Sequence, residues 1–311
     1  MTSPPCHSFR PTGTPQVARR QAVLAAAIMK TSALVAALAF SAPASALVAP
    51  AAPVRHATAL AARQPITGGN WKMNPTSLDD ARELAKSVAA AAGSSAAEGI
   101  VFPPYPFIGP VGEIIKDTKL NLGSQSIFFE DKGAYTGAVS ASMVKSLGVK
   151  YVLAGHSERR TLFKDNDAAI NKKVLKIIEG GMIPVLCIGE TKEEFDANLC
   201  ESVCAIQLAK DLAGVSAADV KTMIIAYEPV WAIGTGLVCP SETAQKVHKF
   251  LRAKIAAMYD EATADAVRIQ YGGSVTPDSV DELMSMPDID GCLVGGASLD
   301  GEKFGRILNF N

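Results

Sequence analysis

The segment TMIIAYEP, residues 222–229, says more about the fold than any other stretch of this chain. It is short and almost continuously apolar, it ends at a lone carboxylate, Glu228, and the glycine-containing sequence VWAIGTG follows it. A strand of a parallel sheet has this composition when helices cover both of its faces. The segment therefore predicts a buried parallel strand that carries an acidic side chain at its carboxyl end.

Seven other runs have the same character, and helical patterns separate them. The eight runs in chain order are ITGGNW, GIVFPP, LNLGSQ, YVLAGH, MIPVLCIG, TMIIAYEP, VRIQYGG and GCLVGG. Eight βα units in residues 65–311 predict a single-domain α/β fold, the closed (β/α)8 barrel. An open doubly wound sheet usually carries GxGxxG after its first strand. Here the first strand ends in GGNWKMN, which lacks that loop.

Capping residues mark several of the intervening helices. Ser77 precedes two acids at the start of one pattern, and residues 276–278 read Thr-Pro-Asp at the start of another. A hydroxyl at the cap, proline in the first turn and acids near the positive end are typical of a helix start. We expect helices to begin at both places.

The first 64 residues differ in composition from the rest. They contain six basic residues and no Asp or Glu, which is typical of a targeting leader that is removed. Within them, Met29-Lys30, the apolar run 34–40 and APASA (42–46) read as a signal peptide with a cleavage site at Ala46. The Arg-bearing, acid-free stretch that follows makes the whole similar to the bipartite leader of a secondary-plastid alga. We therefore expect the plastid stroma as the location.

Several alternatives for this leader remain open. It also fits a simple chloroplast or mitochondrial transit peptide, the Arg pair 19–20 mimics a twin-arginine signal, and Met29 is a second possible start. A form without the leader would be cytoplasmic. Pro43 and Pro50 interrupt the uncharged run 31–54, so we expect no membrane span in the mature protein.

The body from residue 65 onward is acidic, with 24 basic against 31 acidic residues. An acidic body argues against nucleic acid as a partner. A phosphate-bearing substrate would therefore need hydrogen-bond donors placed within its own binding site, rather than a positively charged protein surface.

Polar or glycine residues end several of the predicted strands. In a barrel, the carboxyl ends of all strands converge on one face, so residues distant in sequence meet in one pocket. The residues concerned are Asn70, Lys72, His156, Glu228, Ser274, Gly295 and Gly296.

Three of these side chains suit catalysis, as a base, a hydrogen-bond donor and a partner for an anion, and each also has a plainer interpretation. Apolar neighbours of Glu228 remove water from its carboxylate and make it a better base toward a carbon acid, although a buried ion pair has the same sequence. His156 precedes a helix start, which favours the neutral imidazole, yet a lone histidine is more often structural. Lys72 at a barrel mouth suits an anion, or a salt bridge to Glu158. His248, the other histidine of the body, is expected to pack or lie at the surface.

Glycines predict where a phosphate would bind. Gly234, Ser274, Gly295 and Gly296 follow predicted strands 6, 7 and 8, whose loops build the usual phosphate site of barrels. Backbone N–H groups beside glycine approach phosphate oxygens closely, and a short helix adds its positive end. One Gly-Gly pair is a weak signal, but two at consecutive strand ends are a stronger one.

Five motifs together resemble the triosephosphate isomerase family, in its order and at its spacing, from about Pro65 to the end of the chain. They are NWKMN (70–74), GHSERR (155–160), AYEPVWAIGTG (226–236), YGGS (271–274) and LVGGASL (293–299). The resemblance implies interconversion of dihydroxyacetone phosphate and D-glyceraldehyde 3-phosphate through an enediolate, without metal or organic cofactor. Such an enzyme serves glycolysis and gluconeogenesis and, in a plastid, the Calvin cycle.

Residue roles carry over from the family motifs. Glu228 becomes the base, His156 a neutral hydrogen-bond donor and Lys72 a positive charge beside the enediolate, an assignment that rests on the resemblance alone. Asn70, Lys72, Gly234, Ser274, Gly295 and Gly296 become substrate-binding residues. Ser157, Glu158 and Cys187 become supporting residues, with Cys187 expected to be buried packing.

Two departures from the family pattern concern the lid and the subunit contact. In the lid, residues 229–239, Leu237 stands where the family usually has Lys, which affects hinge kinetics. In GAYTGAVS (133–140), Ala138 replaces a Glu that commonly pairs with the equivalent of Arg159 in the partner. We still expect a homodimer through Met73, Tyr135 and Thr136, with a weaker electrostatic contact.

The spacing of the five body cysteines does not match a zinc site. Cys200 and Cys204 share a helical face, where a disulfide would be strained. We therefore expect ordinary core-flanking or surface positions for them, with redox regulation as the alternative. Cys239 in the lid hinge is the thiol expected to be exposed.

Two other function classes remain. One is a different phosphate-binding barrel, which would lack NWKMN and GHSERR. The other is a catalytically inactive relative that binds triose phosphates without turnover.

Overall fold

Eight parallel strands pair in chain order and close on themselves, because the first strand is hydrogen-bonded to both the second and the eighth. The computed structural model describes residues 63–311, apart from 94 and 96. The strands are β1 Ile66–Asn70, β2 Glu98–Phe102, β3 Leu120–Ser124, β4 Tyr151–Ala154, β5 Ile183–Ile188, β6 Ile224–Tyr227, β7 Arg268–Tyr271 and β8 Gly291–Val294. The predicted (β/α)8 barrel and all eight predicted strands are confirmed.

Helices connect the strands and surround the barrel. They are α1 Leu78–Ala92, α2 Ile108–Ile115, α3 Ala141–Lys145, α4 Ser157–Thr161, α5 Asp167–Glu179, α6 Lys192–Asp196, α7 Cys200–Asp211, α8 Ala217–Val220, α9 Ser241–Met258, α10 Glu261–Ala266, α11 Val280–Met284 and α12 Gly301–Leu308. Short 3₁₀ helices cover Tyr105–Phe107, Val230–Ala232 and Gly296–Leu299.

One predicted helix start is confirmed and the other lies too early. Ser77 Oγ accepts from the Asp80 N–H at 3.1 Å and caps α1. At the second place, a turn precedes α11, which begins only at Val280. Thr276 Oγ1 still accepts from the Ser279 N–H at 3.2 Å, so the capping signal closes this turn instead.

Apolar side chains form two layers. The inner cluster fills the barrel and includes Phe102, Tyr151, Leu153 and Ile224. The larger outer cluster lies between the strands and the helices. Because both faces of each strand are buried, the strand sequences are apolar without alternation.

Arg63 belongs to the folded barrel, although it precedes the predicted start at Pro65. Its side chain is buried, and Nε donates to Asp290 Oδ1 at 2.6 Å. Asp290 Oδ2 also accepts from Arg252 Nη2 at 2.7 Å. Since Asp290 directly precedes β8, this network connects the start of the barrel to its last strand. The other predicted leader features, in residues 1–62, lie outside the described residues.

Within residues 63–311 as described, no helix is both long enough and apolar enough to cross a membrane.

Candidate active site

A cavity of about 680 Å³ opens at the carboxyl ends of the strands. Eight of the residues singled out from the sequence line it, namely Asn70, Lys72, His156, Glu228, Gly234, Ser274, Gly295 and Gly296. They come from the ends of strands β1, β4, β6, β7 and β8, as the barrel topology predicts. The lining does not include Ser157, Glu158 and Cys187, and Glu158 instead lines a neighbouring cavity.

Glu228 is almost completely buried, with 2% of its surface exposed, yet both its carboxylate oxygens have partners. Oε2 accepts from the backbone N–H of Ser157 at 2.8 Å, and Oε1 lies 3.1 Å from His156 Nε2. Gly272 packs so closely that a Cβ on it would lie 2.9 Å from Glu228 Cγ. The carboxylate is thus held in one place at the cavity wall.

His156 is the residue that caps α4, and this fixes its tautomer. Nδ1 accepts from the backbone N–H of Glu158 at 3.2 Å, so the ring proton belongs on Nε2. Nε2–H then points toward Glu228 in the cavity. The ring can therefore donate a hydrogen bond to a bound oxygen without being charged.

Lys72 has a backbone that few non-glycine residues adopt, with φ at 53°. Two amides hold this conformation: Asn70 Oδ1 accepts from the Lys72 N–H at 3.0 Å, and Gln125 Nε2 donates to the Lys72 carbonyl at 2.7 Å. The ammonium lies 2.7 Å from Glu158 Oε1. Strained backbone clusters at functional sites when surrounding contacts enforce it, as here.

Glycine-containing loops form part of the cavity wall. Gly296 has open space where a side chain would be, and Gly295 faces the Lys72 side chain, since a Cβ there would lie 3.4 Å from Lys72 Cε. Ser274 is exposed at the end of β7. Backbone N–H groups on such loops are accessible to an anion that also meets the lysine.

The lid, residues 229–239, is attached to Glu190 at its first turn. Trp231 Nε1 donates to Glu190 Oε1 at 2.7 Å, and the Val230 N–H donates to the Glu190 carbonyl at 3.1 Å. The Trp231 ring stacks on Phe195 at 4.3 Å. By contrast, residues 234–238 are exposed, and Gly234 has φ 67°. One end of the lid is therefore fixed and its tip is free of packing.

Cys187 and Cys239, the cysteines near the site, are both buried. Cys187 lies inside the barrel, where burial first, and then the Glu228 carboxylate, raises its pKa well above the usual value. The sequence-based expectation that Cys239 is exposed is wrong, because its side chain is buried at the lid hinge. Burial raises the pKa of Cys239 to about 12.

Two residues at the site did not emerge from the sequence reasoning. Gln125 follows β3 and also donates to the Phe102 carbonyl at 2.9 Å, and Glu190 follows β5. Both lie just beyond a strand's carboxyl end. The search for polar residues directly after a strand singled out Asn70 and His156. The same search after β3 and β5 would have found Gln125 and Glu190.

Comparisons with known proteins agree with this geometry. The family model described as "Triosephosphate isomerase" matches residues 65–311. A triosephosphate isomerase of Chlorobium phaeovibrioides is 49% identical over 248 residues, which is 79% of this chain and 98% of the relative. That of Herpetosiphon aurantiacus is 47% identical over 249 residues, 80% of this chain and 99% of the relative. That of Moorella thermoacetica is 45% identical over a similar span.

The match covers every element of the barrel and every residue of the cavity described above. The chain therefore belongs to the triosephosphate isomerase family.

Proposed function

We propose that this protein interconverts dihydroxyacetone phosphate and D-glyceraldehyde 3-phosphate by proton transfer through an enediolate. The observation that carries the proposal is the buried pair of Glu228 Oε1 and His156 Nε2, 3.1 Å apart, beside the Lys72 ammonium. One cavity thus holds a base, a neutral hydrogen-bond donor and a cation. Isomerisation next to a carbonyl needs these three groups.

The steps follow from the positions of these groups. Glu228 takes the proton from the carbon beside the substrate carbonyl, and the electron pair of that C–H bond moves to form the enediolate. A bound carbonyl oxygen replaces Glu228 as the acceptor of His156 Nε2–H. Lys72 offsets the negative charge that develops on the oxygens. Glu228 then returns the proton to the neighbouring carbon, and the hydroxyl proton of the first carbon passes to the former carbonyl oxygen through His156, which leaves the new carbonyl on the first carbon.

The glycine loops supply the phosphate site. Gly234, Ser274, Gly295 and Gly296 lie on the cavity wall, and all but Gly295 are exposed. Backbone N–H groups beside such residues suit a phosphate. Asn70, 5% exposed, keeps Lys72 in its strained conformation. Closure of the lid tip over the cavity would exclude water and guard the enediolate against loss of phosphate.

Isomerisation in D2O tests this chemistry directly. The purified full chain is given one triose phosphate, and the product is examined by NMR for deuterium on the carbon that gained a proton. We expect turnover with deuterium at that carbon, because Glu228 exchanges its proton with solvent while the intermediate is bound.

The control is Glu228→Gln, which keeps the shape of the side chain and removes the base. It should bind triose phosphate without turnover. Binding without turnover in the parent protein would instead favour the inactive relative. Turnover in Glu228→Gln equal to that of the parent would contradict Glu228 as the base.

We further propose that the chain works as a homodimer. Met73 is 88% exposed and lies beside a second cavity of about 260 Å³ whose lining includes Tyr105 and Phe163. Tyr135, next to Thr136 on the 133–140 loop, is also an exposed aromatic. Apolar residues this exposed, next to a hollow, are typical of a surface that a second copy covers.

Ala138 makes this contact less polar than the family pattern. Arg159 has an internal partner instead, because its Nε donates to Asp165 Oδ2 at 2.7 Å. Analytical ultracentrifugation of the full chain should show a dimer that Thr136→Arg, a large charge beside Tyr135, converts to monomer. A monomeric parent at micromolar concentration would contradict the proposal.

We also propose that the predicted leader is a plastid-targeting segment that is removed, and that it comprises residues 1–62 rather than 1–64, because Arg63 packs in the barrel. Their support is composition alone, with basic residues and no acids. A fluorescent fusion of residues 1–62 should accumulate in plastids of an algal host. Mitochondrial or cytoplasmic fluorescence would contradict this location, and only a plastid location would connect the enzyme with the Calvin cycle.

A further inference from the structure

Two cysteines and a carboxylate meet behind the lid, outside the catalytic cavity. One ligand atom from each of Glu190, Cys200 and Cys204 lies within 4.8 Å of the other two. The carboxylate comes from the end of β5 and both thiols from the first turns of α7. The spacing of the cysteines alone gave no zinc motif, because the third group comes from another element.

The two thiols are placed well for chelation and badly for a disulfide. Cys200 and Cys204 are four residues apart in α7, so their side chains leave the helix on the same face. A disulfide between them would be strained within an intact helix. A tetrahedral metal ion needs only that both sulfurs reach it, which this spacing permits.

Glu190 presents an unsatisfied oxygen in this neighbourhood. Its side chain is completely buried, and Oε1 accepts from Trp231 Nε1 and from the Tyr227 hydroxyl, at 2.7 and 3.1 Å. Oε2 is buried without any hydrogen-bond partner. A buried carboxylate oxygen without a donor is rare and calls for a cation or a water.

The position of Glu190 is fixed before any ion arrives. Gln207, also on α7, accepts from the Gly189 N–H at 2.8 Å and donates to the Gly189 carbonyl at 3.2 Å. This clamp holds the β5 end against the helix that carries both cysteines. Cys200 is only half-buried, so an ion can reach the group from solvent.

We propose that Glu190, Cys200 and Cys204 form a binding site for a thiophilic divalent cation of the zinc class, and that occupancy slows the movement of the lid. Two thiolates, one carboxylate and one solvent molecule satisfy the four-coordinate preference of Zn²⁺. The residues Val230 and Trp231, which begin the lid, hydrogen-bond to Glu190, so an ion on Glu190 acts on the lid at its fixed end. The lid effect rests on the proposed function, whereas the binding does not.

Binding must release protons. An ordinary cysteine thiol, with a pKa of about 8.5, carries a proton at neutral pH. A metal-bound thiolate has lost that proton. Affinity should therefore increase with pH.

Cobalt titration tests the site independently of activity. The reduced, chelator-treated full chain is titrated with Co²⁺, and the near-ultraviolet thiolate-to-cobalt charge-transfer band is recorded. We expect a saturable band that Zn²⁺ displaces. Cys200→Ala and Cys204→Ala should each weaken binding by more than about tenfold, since loss of an outer-shell partner alone has effects of that size.

The matched control is Cys292→Ala, which removes an equally buried thiol from β8 and should leave the band unchanged. If Cys204→Ala does not fold, Cys200→Ser at the half-buried position keeps the test valid. No band in the parent, or a band that survives both substitutions, would overturn the site. A Zn²⁺-loaded parent whose turnover equals that of the metal-free protein would overturn the lid effect alone.

Discussion

At the scale of single residues, the two histidines of the barrel differ in what their ring nitrogens contact. His156 lies at the cavity, whereas His248 is completely buried in α9 between Tyr227 and Tyr271. His248 Nδ1 bonds to the Asp288 carbonyl at 3.2 Å, and Nε2 is buried without a partner. Because a protonated ring would leave a charged N–H unpaired, burial lowers the pKa of His248 to about 4.

This histidine should make stability depend on pH. Between pH 6.5 and 4 the unfolded imidazole takes up a proton and the folded one does not, so acidification favours unfolding. Above pH 6.5 the ring is neutral in both states and costs no stability. Below that pH, the loss in the free energy of unfolding that is due to His248 reaches up to about 3 kcal/mol. Denaturant unfolding at pH 7 and pH 4.5 should show a smaller loss for His248→Asn than for the parent.

The comparison of the parent with His248→Asn contains its own control. Asp211, whose pKa burial raises to about 7, titrates over the same range but is present in both. Only the difference between the two slopes is therefore assigned to His248. Equal slopes would contradict the account of a buried neutral ring.

At the scale of elements, the carboxyl ends of the strands were the predictable part of the site. Apolar runs located the strands, and polar residues directly after them located Asn70, Lys72, His156 and Glu228. The start of α11 was predicted too early because a hydroxyl that caps a turn has the same sequence as one that caps a helix. The burial of Cys239 depends on the side of the lid that faces the barrel, which sequence spacing does not encode.

The loop after β7 packs directly against the Glu228 side chain. An added Cβ on Gly272 would lie 2.9 Å from Glu228 Cγ and 3.2 Å from the Tyr227 carbonyl, so one of them must move. We expect Gly272→Ala to lower kcat by about tenfold or more, because displacements near 1 Å are costly in catalysis. Steady-state kinetics and thermal unfolding should be measured together.

Gly109→Ala is the matched control for that change. Gly109 lies within α2, and its added Cβ would meet nothing closer than Leu147 Cδ2 at 3.8 Å. It should keep full activity and match or exceed the parent in stability. Unaltered kcat in Gly272→Ala would show that the loop does not position Glu228.

At the scale of the whole molecule, a network of buried charges connects Arg63, at the start of the barrel, with Asp290 and Arg252. Arg63→Ala would leave Asp290 Oδ1 without its 2.6 Å donor, while Arg252 keeps the other oxygen paired. We expect the free energy of unfolding to fall by about 1.5–3 kcal/mol, the range for hydrogen bonds to charged groups. Denaturant titration of the full chain measures it.

Arg82→Ala is the exposed counterpart, since its pair with Asp79 lies at the surface. It should change stability little, because exposed ion pairs contribute little. An Arg63 variant as stable as the Arg82 variant would contradict a structural role for the network. The composition of the first 64 residues hid this role, since a basic residue in an acid-free stretch is read as part of the leader.

The central claim is that Glu228, held at the cavity wall by Ser157 and His156, is the base of a triose phosphate isomerisation. Glu228→Asp tests it most directly, because it keeps the charge and withdraws the carboxylate by one methylene. The parent should turn over both triose phosphates, and kcat of the variant should fall by about 100-fold or more with KM little changed. A variant that retains parental kcat, or a folded parent without turnover, would contradict the account.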